Sequence, residues 1–208
     1  MPANPPLRRG LYWVTRETAD TAALMGIADA ALRGGARLVQ YRDKSTDATR
    51  RRTQAQALVA ACRTASVPLL INDDVELALS SGAAGVHLGE HDGGIADARA
   101  RLGPHALIGV SCYDSLERAK ALAAQGADYL AFGSFFASPT KPGARRAQPA
   151  LLREAARFGL PRVAIGGITL ANAGDLVAAG ADLLAVVSAV ADAADPRAAA
   201  RAFTALYD

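Results

Sequence analysis

The segment Gly126-Ala127-Asp128-Tyr129-Leu130-Ala131-Phe132-Gly133 decides the fold, because it leads from a helix end directly into an apolar strand. The continuous apolar run over 129–132 is typical of a parallel strand that is covered on both faces. The strand cannot extend far beyond this run, because Pro139 and Pro142 lack the backbone N–H that a sheet requires. We therefore predict a strand over 129–133 and a long polar loop over 134–146.

The predicted loop carries two hydroxyls and one amine, from Ser138, Thr140 and Lys141. These groups could close over a bound phosphate, which would suit a loop at the carboxyl end of a parallel strand. The loop could equally be an ordinary solvated turn. Its composition alone does not separate the two interpretations.

A Gly-Ala pattern like the one at 126–127 precedes three other predicted strands. The four copies are Gly35-Ala36-Arg37-Leu38, Gly82-Ala83-Ala84-Gly85, Gly126-Ala127-Asp128-Tyr129 and Gly180-Ala181-Asp182-Leu183. Their first glycines are 47, 44 and 54 residues apart, so each interval holds two strand–helix units. The copies therefore mark strands two, four, six and eight.

Apolar runs and helical patterns alternate along the whole chain. We predict strands over 11–15, 37–41, 67–71, 85–88, 107–111, 129–133, 162–166 and 183–187. Helices are predicted over 21–32, 46–65, 75–80, 95–102, 116–124, 149–158, 170–179 and 197–206. Strict alternation indicates a parallel sheet with helices outside it. Eight such units in 208 residues favour an α/β fold of the single (β/α)₈ barrel type over an open sheet.

Length and composition predict one domain over 1–208, with 1–9 as a flexible N-terminal extension. No apolar run in the sequence is long enough for a membrane span, and we expect no secretory signal because residues 1–9 lack an apolar segment. The isolated Cys62 and Cys112 favour a reducing, cytoplasmic location over a disulfide framework. The net charge of +3 and the helical setting of the basic run 50–52 favour a solvated face over nucleic acid binding. Assembly into a homo-oligomer is left open.

In a (β/α)₈ barrel the active site lies at the carboxyl ends of the strands. Strand two ends on Gln40, Arg42 and Lys44, which alternate onto one side. Two neighbouring cations indicate an anionic ligand, of which phosphate and pyrophosphate are the obvious examples. The alternative is that Asp43 pairs with its neighbours on a polar rim.

Carboxylates follow strands three and four, at Asp73, Asp74 and Asp92. Carboxylates at adjacent strand ends can converge on Mg²⁺, which prefers oxygen ligands, and Asp73 and Asp92 are the candidates. One of Asp73 and Asp74 could instead cap the following helix. His87 and His91 are four residues apart, but His87 lies within a predicted strand, which favours a core histidine over a zinc ligand.

The remaining strand ends supply hydroxyls and glycine. Ser111 is expected to point its hydroxyl into the opening, whereas the sequence gives Cys112 no basic partner and so no role as a nucleophile. Gly167 follows strand seven, and Ser188 follows strand eight. Glycines and small polar residues at these two ends match the phosphate site that this fold often builds from backbone N–H groups.

Taken together, these segments resemble the thiamine phosphate synthase family, in the family's order and over almost the whole chain. The matching pieces are Leu11-Tyr12-Trp13-Val14-Thr15, Gln40-x-Arg42-x-Lys44, Ile71-Asn72-Asp73, Gly85-Val86-His87-Leu88-Gly89-x-x-Asp92, Gly109-Val110-Ser111, Gly126-Ala127-Asp128-Tyr129, Phe132-Gly133, Ser138-Pro139-Thr140-Lys141, Ala164-Ile165-Gly166-Gly167-Ile168 and Val187-Ser188-Ala189. Each piece is weakly specific alone, but the set is specific.

The resemblance implies an enzyme that joins a hydroxymethylpyrimidine pyrophosphate to a thiazole phosphate, releasing pyrophosphate and giving thiamine monophosphate. It implies that the pyrimidine pyrophosphate is held by Gln40, Arg42, Lys44, Asn72 and Lys141. Asp73 and Asp92 would bind Mg²⁺, and Ser111 would contact the pyrimidine. Ser138, Thr140, Gly167, Val187 and Ser188 would hold the thiazole phosphate. Arg42, Lys141 and Ser111 would contribute most to a dissociative substitution through a carbocation.

Three positions depart from the family's common pattern, with Tyr113 where histidine is common, Ser138 where threonine is common, and Asp74 where arginine is common. Two other functions stay open. A thiazole tautomerase of similar architecture would not need the pyrophosphate and metal residues that this chain retains. A non-catalytic barrel that binds a phosphorylated ligand predicts the loss of some residues at the opening, and none is lost here.

Overall fold

The computed structural model, which describes residues 7–137 and 145–208, is a closed barrel of eight parallel strands. Neighbouring strands pair in chain order, and β1 closes the barrel against β8. The strands are β1 Gly10–Val14, β2 Leu38–Tyr41, β3 Leu69–Asn72, β4 Gly85–Leu88, β5 Leu107–Tyr113, β6 Tyr129–Gly133, β7 Arg162–Ile165 and β8 Leu183–Val186. This arrangement confirms the predicted (β/α)₈ fold.

Helices follow the strands and cover the outside of the barrel. In the described residues they are α1 Thr21–Arg33, α2 Ala48–Thr64, α3 Val75–Ser81, α4 Ile95–Leu102, α5 Leu116–Ala124, α6 Ala150–Ala155, α7 Leu170–Ala178, α8 Ser188–Ala191 and α9 Pro196–Thr204. Single 3₁₀ turns extend α6 over Ala156–Phe158 and α9 over Ala205–Tyr207. Of the helices described, none has the length and apolar composition that crossing a bilayer requires.

The predicted boundaries are correct to the residue for β4, β6, α4 and α5. The other predicted boundaries differ from the observed ones by up to three residues, and two features call for comment. The short helix α8 was not predicted, because four residues are too few to show a helical period. Strand β5 continues past Ser111 to Tyr113, and its register against β6 shifts between these two residues.

Two apolar layers hold the barrel together, as the alternation of side chains along each strand requires. One layer lies between the strands and the helices and includes Trp13, Leu58, Phe132 and Phe203. The other fills the barrel interior with Tyr12, Val14, Leu38, Leu70, Leu107, Tyr129, Ala131, Val163, Leu183 and Ala185. The interior layer is therefore mostly aliphatic, but it contains two tyrosine hydroxyls.

The repeated Gly-Ala pattern forms one recurring junction at the amino end of the barrel. Its glycines all have a positive φ, a conformation that glycine adopts without strain, at 94° for Gly35, 72° for Gly82, 92° for Gly126 and 98° for Gly180. Two residues later, each backbone N–H donates to a carbonyl near the start of the preceding strand, with pairs Arg37–Leu11, Ala84–Leu69, Asp128–Ile108 and Asp182–Arg162, all at 2.8 Å.

The two aspartates in these junctions add a second bond. Oδ2 of Asp128 accepts the N–H of Ile108 at 2.7 Å, and Oδ2 of Asp182 accepts the N–H of Arg162 at 2.9 Å. Each aspartate also pairs with an arginine, Asp128 with Arg99 at 2.8 Å and Asp182 with Arg162 at 3.0 Å. The carboxylates thus join neighbouring strands at the end of the barrel opposite the predicted site.

Candidate active site

The carboxyl ends of the strands surround an opening, called the mouth below, in which several predicted residues meet. Lys44, Asn72, Asp73 and Asp92 line one cavity between the ends of β2, β3 and β4. Their strands are neighbours, since β2 pairs with β3 and β3 with β4. The structure therefore brings together one predicted cation, the predicted amide and both predicted metal ligands.

Asp73 is the most constrained member of this group. Its backbone has φ of 64°, a left-handed conformation that few residues other than glycine adopt and that aspartate tolerates. Its carboxylate contacts the Lys44 ammonium and accepts a hydrogen bond from Asn72 Nδ2. Its N–H donates to the His87 carbonyl at 2.8 Å, which joins the end of β3 to β4. Unusual backbone conformations of this kind cluster at functional sites.

Asp92 lies close enough to Asp73 for the two carboxyls to shift each other's pKa. Burial and the neighbouring Asp92 raise the pKa of Asp73 above its usual value, while Lys44 opposes the rise. Burial acts to raise the pKa of Asp92 too, but bonds from Asp73 and from the Gly89 N–H, at 2.8 Å, leave this pKa below its usual value. Two acidic groups at such close range indicate a site for positive charge.

This donor set fits Mg²⁺, which typically takes one or two carboxylates and fills its other positions with water and phosphate oxygens. A divalent ion would relieve the repulsion between Asp73 and Asp92 once both are ionised. Among residues 7–137 and 145–208, no group of three or more histidine, cysteine, aspartate or glutamate side chains is arranged to hold a metal. In this assignment, Asp73 and Asp92 are the ligands that the described part of the chain offers.

Two further aspartates that line this cavity, Asp74 and Asp43, have structural partners. Asp74 caps α3 by accepting the Leu77 N–H at 2.8 Å, and it pairs with Arg51 at 2.8 Å. This finding settles which of the two adjacent aspartates caps the helix.

Asp43 is buried and pairs with its neighbours, as the alternative interpretation of strand two proposed. It accepts the Ser45 N–H at 2.7 Å and lies 3.5 Å from Arg50. Burial opposes ionisation, but these bonds and Arg50 hold the pKa of Asp43 below its usual value. The Lys44 N–H in turn donates to Glu17 at 2.9 Å. These contacts fix the backbone around Lys44 and leave its ammonium beside Asp73.

A buried chain of hydrogen bonds crosses the barrel interior and joins two predicted substrate residues. Gln40 Nε2 donates to the Tyr12 hydroxyl, which lies 2.9 Å from the Tyr129 hydroxyl. Tyr129 is 2.7 Å from His87 Nδ1, and His87 Nε2 is 2.9 Å from Ser111 Oγ. Gln40, Tyr12, Tyr129, His87 and Ser111 are called the relay below.

Sequence reasoning identified the two ends of the relay but not its middle. His87 is buried, as a core histidine would be, yet both of its ring nitrogens have polar partners. The sequence motifs include Tyr12 and Tyr129 but give neither of them a role at the site. The available signal was their position, because period-two alternation places these tyrosines among the interior residues of β1 and β6.

Gly109 makes room for the relay. A Cβ atom at Gly109 would lie 1.9 Å from Cζ of Tyr129. Gly109 pairs with both His87 and Tyr129 across the sheet, so it lies on β5 between the strands that carry them. The Tyr129 ring can therefore cross over β5 and stack on the His87 ring, with ring centroids 5.6 Å apart.

The ends of β7 and β8 hold the predicted phosphate residues. Gly167 follows β7, while Val187 and Ser188 lie at the start of α8. The 134–137 segment packs on this end of β7, where the Phe136 N–H donates to the Gly166 carbonyl at 3.0 Å. Asn172 Nδ2, from α7, donates to the Gly167 carbonyl at 3.1 Å.

Ser138, Thr140 and Lys141 lie outside the described residues, so their contacts stay predictions. On either side of this segment, Ser134 and Arg145 come together, with the Ser134 N–H donating to the Arg145 carbonyl at 3.1 Å. Both ends of the predicted loop are therefore anchored at the mouth.

Tyr113, one of the departures from the common family pattern, lies between two arginines. The Arg118 and Arg145 guanidinium carbons are 5.8 Å and 5.7 Å from its ring centroid, within the range of cation–π attraction. Arg118 Nε also donates to the Ser111 carbonyl at 2.8 Å. These contacts tie Tyr113 to the backbone that carries Ser111.

Both cysteines are structural. Cys62 and Cys112 are buried free thiols, and burial raises the pKa of each to about 12. A thiol reacts as its thiolate, which is scarce near neutral pH when the pKa is so high. The structure agrees with the prediction that Cys112 is not a nucleophile.

Treatment of the native protein with iodoacetamide at pH 8 should leave both cysteines almost unmodified over an hour, since neither thiol is exposed or ionised. Intact-mass spectrometry would measure the extent of labelling. The same treatment in denaturant should add two groups, because unfolding exposes both thiols. Rapid labelling of the native protein at Cys112 would contradict this assignment.

Fold and site together define a (β/α)₈ barrel of the enzyme class that carries its active site at the carboxyl ends of the strands, here with an acidic pair beside a lysine. A family model described as thiamine monophosphate synthase matches residues 11–190. The chain is 58% identical over 197 residues to a thiamine-phosphate synthase of Xanthomonas campestris pv. campestris, covering 95% of each chain. It is 55% identical over 199 residues to the thiamine-phosphate synthase of Thiobacillus denitrificans, covering 95% of this chain and 94% of that protein.

Among solved structures, the chain is similar to a thiamine phosphate pyrophosphorylase from Pyrococcus furiosus. The two share a TM-score of 0.85 and 32% identity over 96% of each chain. The chain belongs to the thiamine monophosphate synthase family, as its sequence motifs predicted.

Proposed function

We propose that this chain is a thiamine-phosphate synthase, an enzyme that joins a hydroxymethylpyrimidine pyrophosphate to a thiazole phosphate. The products are thiamine monophosphate and pyrophosphate. The observation that carries the proposal is the cluster of Lys44, Asn72, Asp73 and Asp92 at three adjacent strand ends. Family membership supports it, because relatives at 55% and 58% identity carry this name.

The residues suit a reaction driven by stabilisation of a leaving group. The bond between the pyrimidine methylene and pyrophosphate breaks, the electron pair leaves with pyrophosphate, and the thiazole nitrogen attacks the resulting carbocation. Bound Mg²⁺, held by Asp73 and Asp92, would supply charge stabilisation for the departing pyrophosphate. Lys44 and Arg42 follow the same strand, where cations can bind the pyrophosphate throughout the reaction.

The protein also aligns the two substrates. Ser111 and Gln40, at the two ends of the relay, would bind the pyrimidine. Gly167 and Ser188, after β7 and β8, would bind the thiazole phosphate across the mouth. Holding both partners in a reactive arrangement removes much of the entropic barrier to their combination.

The decisive test is incubation of the purified protein with both substrates, in Mg²⁺ and in chelator. We expect equal amounts of thiamine monophosphate and pyrophosphate in Mg²⁺, measured by chromatography and by a coupled pyrophosphate assay. Isomerisation of the thiazole phosphate alone would instead indicate a tautomerase. Binding of either substrate without turnover would indicate a non-catalytic barrel.

Two lysines should affect different kinetic constants. Lys44→Ala should raise the KM for the pyrimidine pyrophosphate, because a strand-end cation binds the pyrophosphate equally in the ground and transition states. Lys141→Ala should lower kcat and kcat/KM together by roughly 10²-fold, the scale of losing one group that stabilises developing charge. Steady-state kinetics with each substrate varied in turn would separate the two effects.

Lys120→Ala is the matched control, because Lys120 is exposed on α5, outside the mouth. It should leave both constants unchanged. A change confined to KM in Lys141→Ala would show that this lysine only binds substrate, and that ionisation depends on the metal and Arg42.

A further inference from the structure

All the hydrogen bonds of the relay can be made to run the same way along the chain of residues, because each hydroxyl and the histidine ring has only one hydrogen to donate. The Tyr12 and Tyr129 side chains are fully buried, and burial raises the pKa of each far above its usual range. Each hydroxyl therefore keeps its single hydrogen near neutral pH. A neutral histidine likewise carries one ring hydrogen, on Nδ1 or on Nε2.

Gln40 decides which way the hydrogen bonds of the relay are donated, because its amino nitrogen faces the Tyr12 oxygen. An amide nitrogen only donates, so Tyr12 accepts here and gives its own hydrogen to Tyr129, 2.9 Å away. Tyr129 then gives its hydrogen to His87 Nδ1 at 2.7 Å. With Nδ1 occupied as an acceptor, the hydrogen of a neutral His87 lies on Nε2 and is donated to Ser111 Oγ at 2.9 Å.

We propose that His87 is a positioning residue that makes Ser111 a hydrogen-bond donor toward the ligand in the mouth. Because the Ser111 oxygen accepts from His87, its own hydrogen is left for an acceptor atom outside the relay. A ring nitrogen of an aminopyrimidine is such an acceptor. The identity of that ligand rests on the proposed function, whereas the direction of the relay does not.

The opposite direction would select different chemistry. If Gln40 presented its carbonyl oxygen to Tyr12, each hydrogen would point the other way and Ser111 would donate to His87. Ser111 would then offer only lone pairs and would favour a donor such as an exocyclic amine. Gln40 and Ser111, on β2 and β5, would thus determine together which edge of a nitrogen heterocycle binds.

The tautomer of His87 tests the relay without any substrate. In ¹⁵N NMR spectra of the full-length protein near neutral pH, we expect His87 to be protonated on Nε2 and unprotonated on Nδ1. Its signals can be assigned by their absence in His87→Gln, since the chain has 3 histidines. An Nδ1-protonated His87 in the substrate-free protein would overturn the proposal.

Removal of one hydroxyl should disturb this state. Tyr129→Phe keeps the ring but removes the donor to Nδ1, so the Nδ1 resonance should move downfield toward that of a nitrogen without a hydrogen bond. Tyr207→Phe is the matched control, because its buried hydroxyl has no hydrogen-bond partner among the described residues. It should leave the His87 signals unchanged. If Tyr129→Phe does not fold, Tyr12→Phe provides a second test, because it interrupts the relay between Gln40 and Tyr129. An unchanged His87 Nδ1 resonance in Tyr12→Phe would count against the relay.

A double-mutant cycle tests the link to the ligand. Tyr129→Phe should raise the KM for the pyrimidine pyrophosphate by about 10-fold, the effect of losing one well-made hydrogen bond. In a Ser111→Ala background the same change should have an effect below about twofold, because coupled residues are not additive. Equal effects in both backgrounds would show that Tyr129 does not act through Ser111.

The two sets of results separate the proposals. If the wild-type protein makes no thiamine monophosphate, the proposed function fails, but the tautomer still decides the direction of the relay. If the protein is active and His87 carries its hydrogen on Nδ1, the function holds and the relay proposal fails.

Discussion

Asp73→Asn should lower kcat/KM by at least about 100-fold in saturating Mg²⁺, because an amide cannot replace a carboxylate as a ligand that neutralises the metal. Asparagine tolerates the left-handed backbone that Asp73 adopts, so the fold should persist. Steady-state kinetics would measure the loss of turnover, and circular dichroism would confirm an unchanged thermal transition. Turnover equal to that of the wild type would contradict the metal assignment.

The adjacent residue provides the control. Asp74→Ala removes the cap of α3 and the ion pair with Arg51, and should cost about 1 kcal/mol of stability. Its turnover should stay close to that of the wild type, because Asp74 does not hold the metal in this assignment. If Asp74→Ala alone abolishes activity, the metal ligand has been placed one residue too early.

Gly109→Ala should be strongly destabilising, because the added methyl would lie 1.9 Å from Cζ of a fully buried tyrosine. Overpacking of this kind typically costs 1–3 kcal/mol, and we expect a loss of about 3 kcal/mol. For a protein of this size that corresponds to a fall in Tm of roughly 6 to 12 °C. Thermal denaturation followed by circular dichroism would measure it.

A glycine in open space gives the matched comparison. Gly174 lies within α7, and a Cβ there would meet no atom within 4 Å. Gly174→Ala should therefore raise the stability by about 0.5 to 1 kcal/mol, since alanine favours the helix. The Gly109→Ala penalty should shrink in a Tyr129→Ala background, where the clashing ring is absent. An undiminished penalty there would show that another contact causes the loss.

Much of the barrel was predictable because its signals are local or periodic. The spacing of Gly35, Gly82, Gly126 and Gly180 supported a count of eight strand–helix units, and eight units in a chain of this length predicted the closed barrel that the structure shows. Residues just after strands, such as Asp73 and Asp92, were found for the same reason. In a parallel barrel, the end of a strand is enough to place a side chain at the mouth.

The relay was not predictable in this way, because its contacts join distant parts of the chain. His87 meets Tyr129 42 residues away and Ser111 24 residues away. A histidine within an apolar strand gives the same sequence pattern whether or not its ring nitrogens form hydrogen bonds with other side chains. The left-handed backbone of Asp73 was also not predictable from the sequence, because aspartate tolerates this conformation but does not require it. Asp74 was ambiguous until its bond to the Leu77 N–H distinguished the cap from the ligand.

The recurring junctions lie at the amino end of the barrel and the mouth lies at the carboxyl end, so inherited mutations at the two ends should have different consequences. Asp128 and Asp182 join strands at the end of the barrel away from the mouth. Mutations there should alter how much protein a cell accumulates and how long each molecule survives. Mutations at the mouth should alter which compounds are transformed. A lineage descended from this chain could therefore acquire a new reaction while inheriting its scaffold intact.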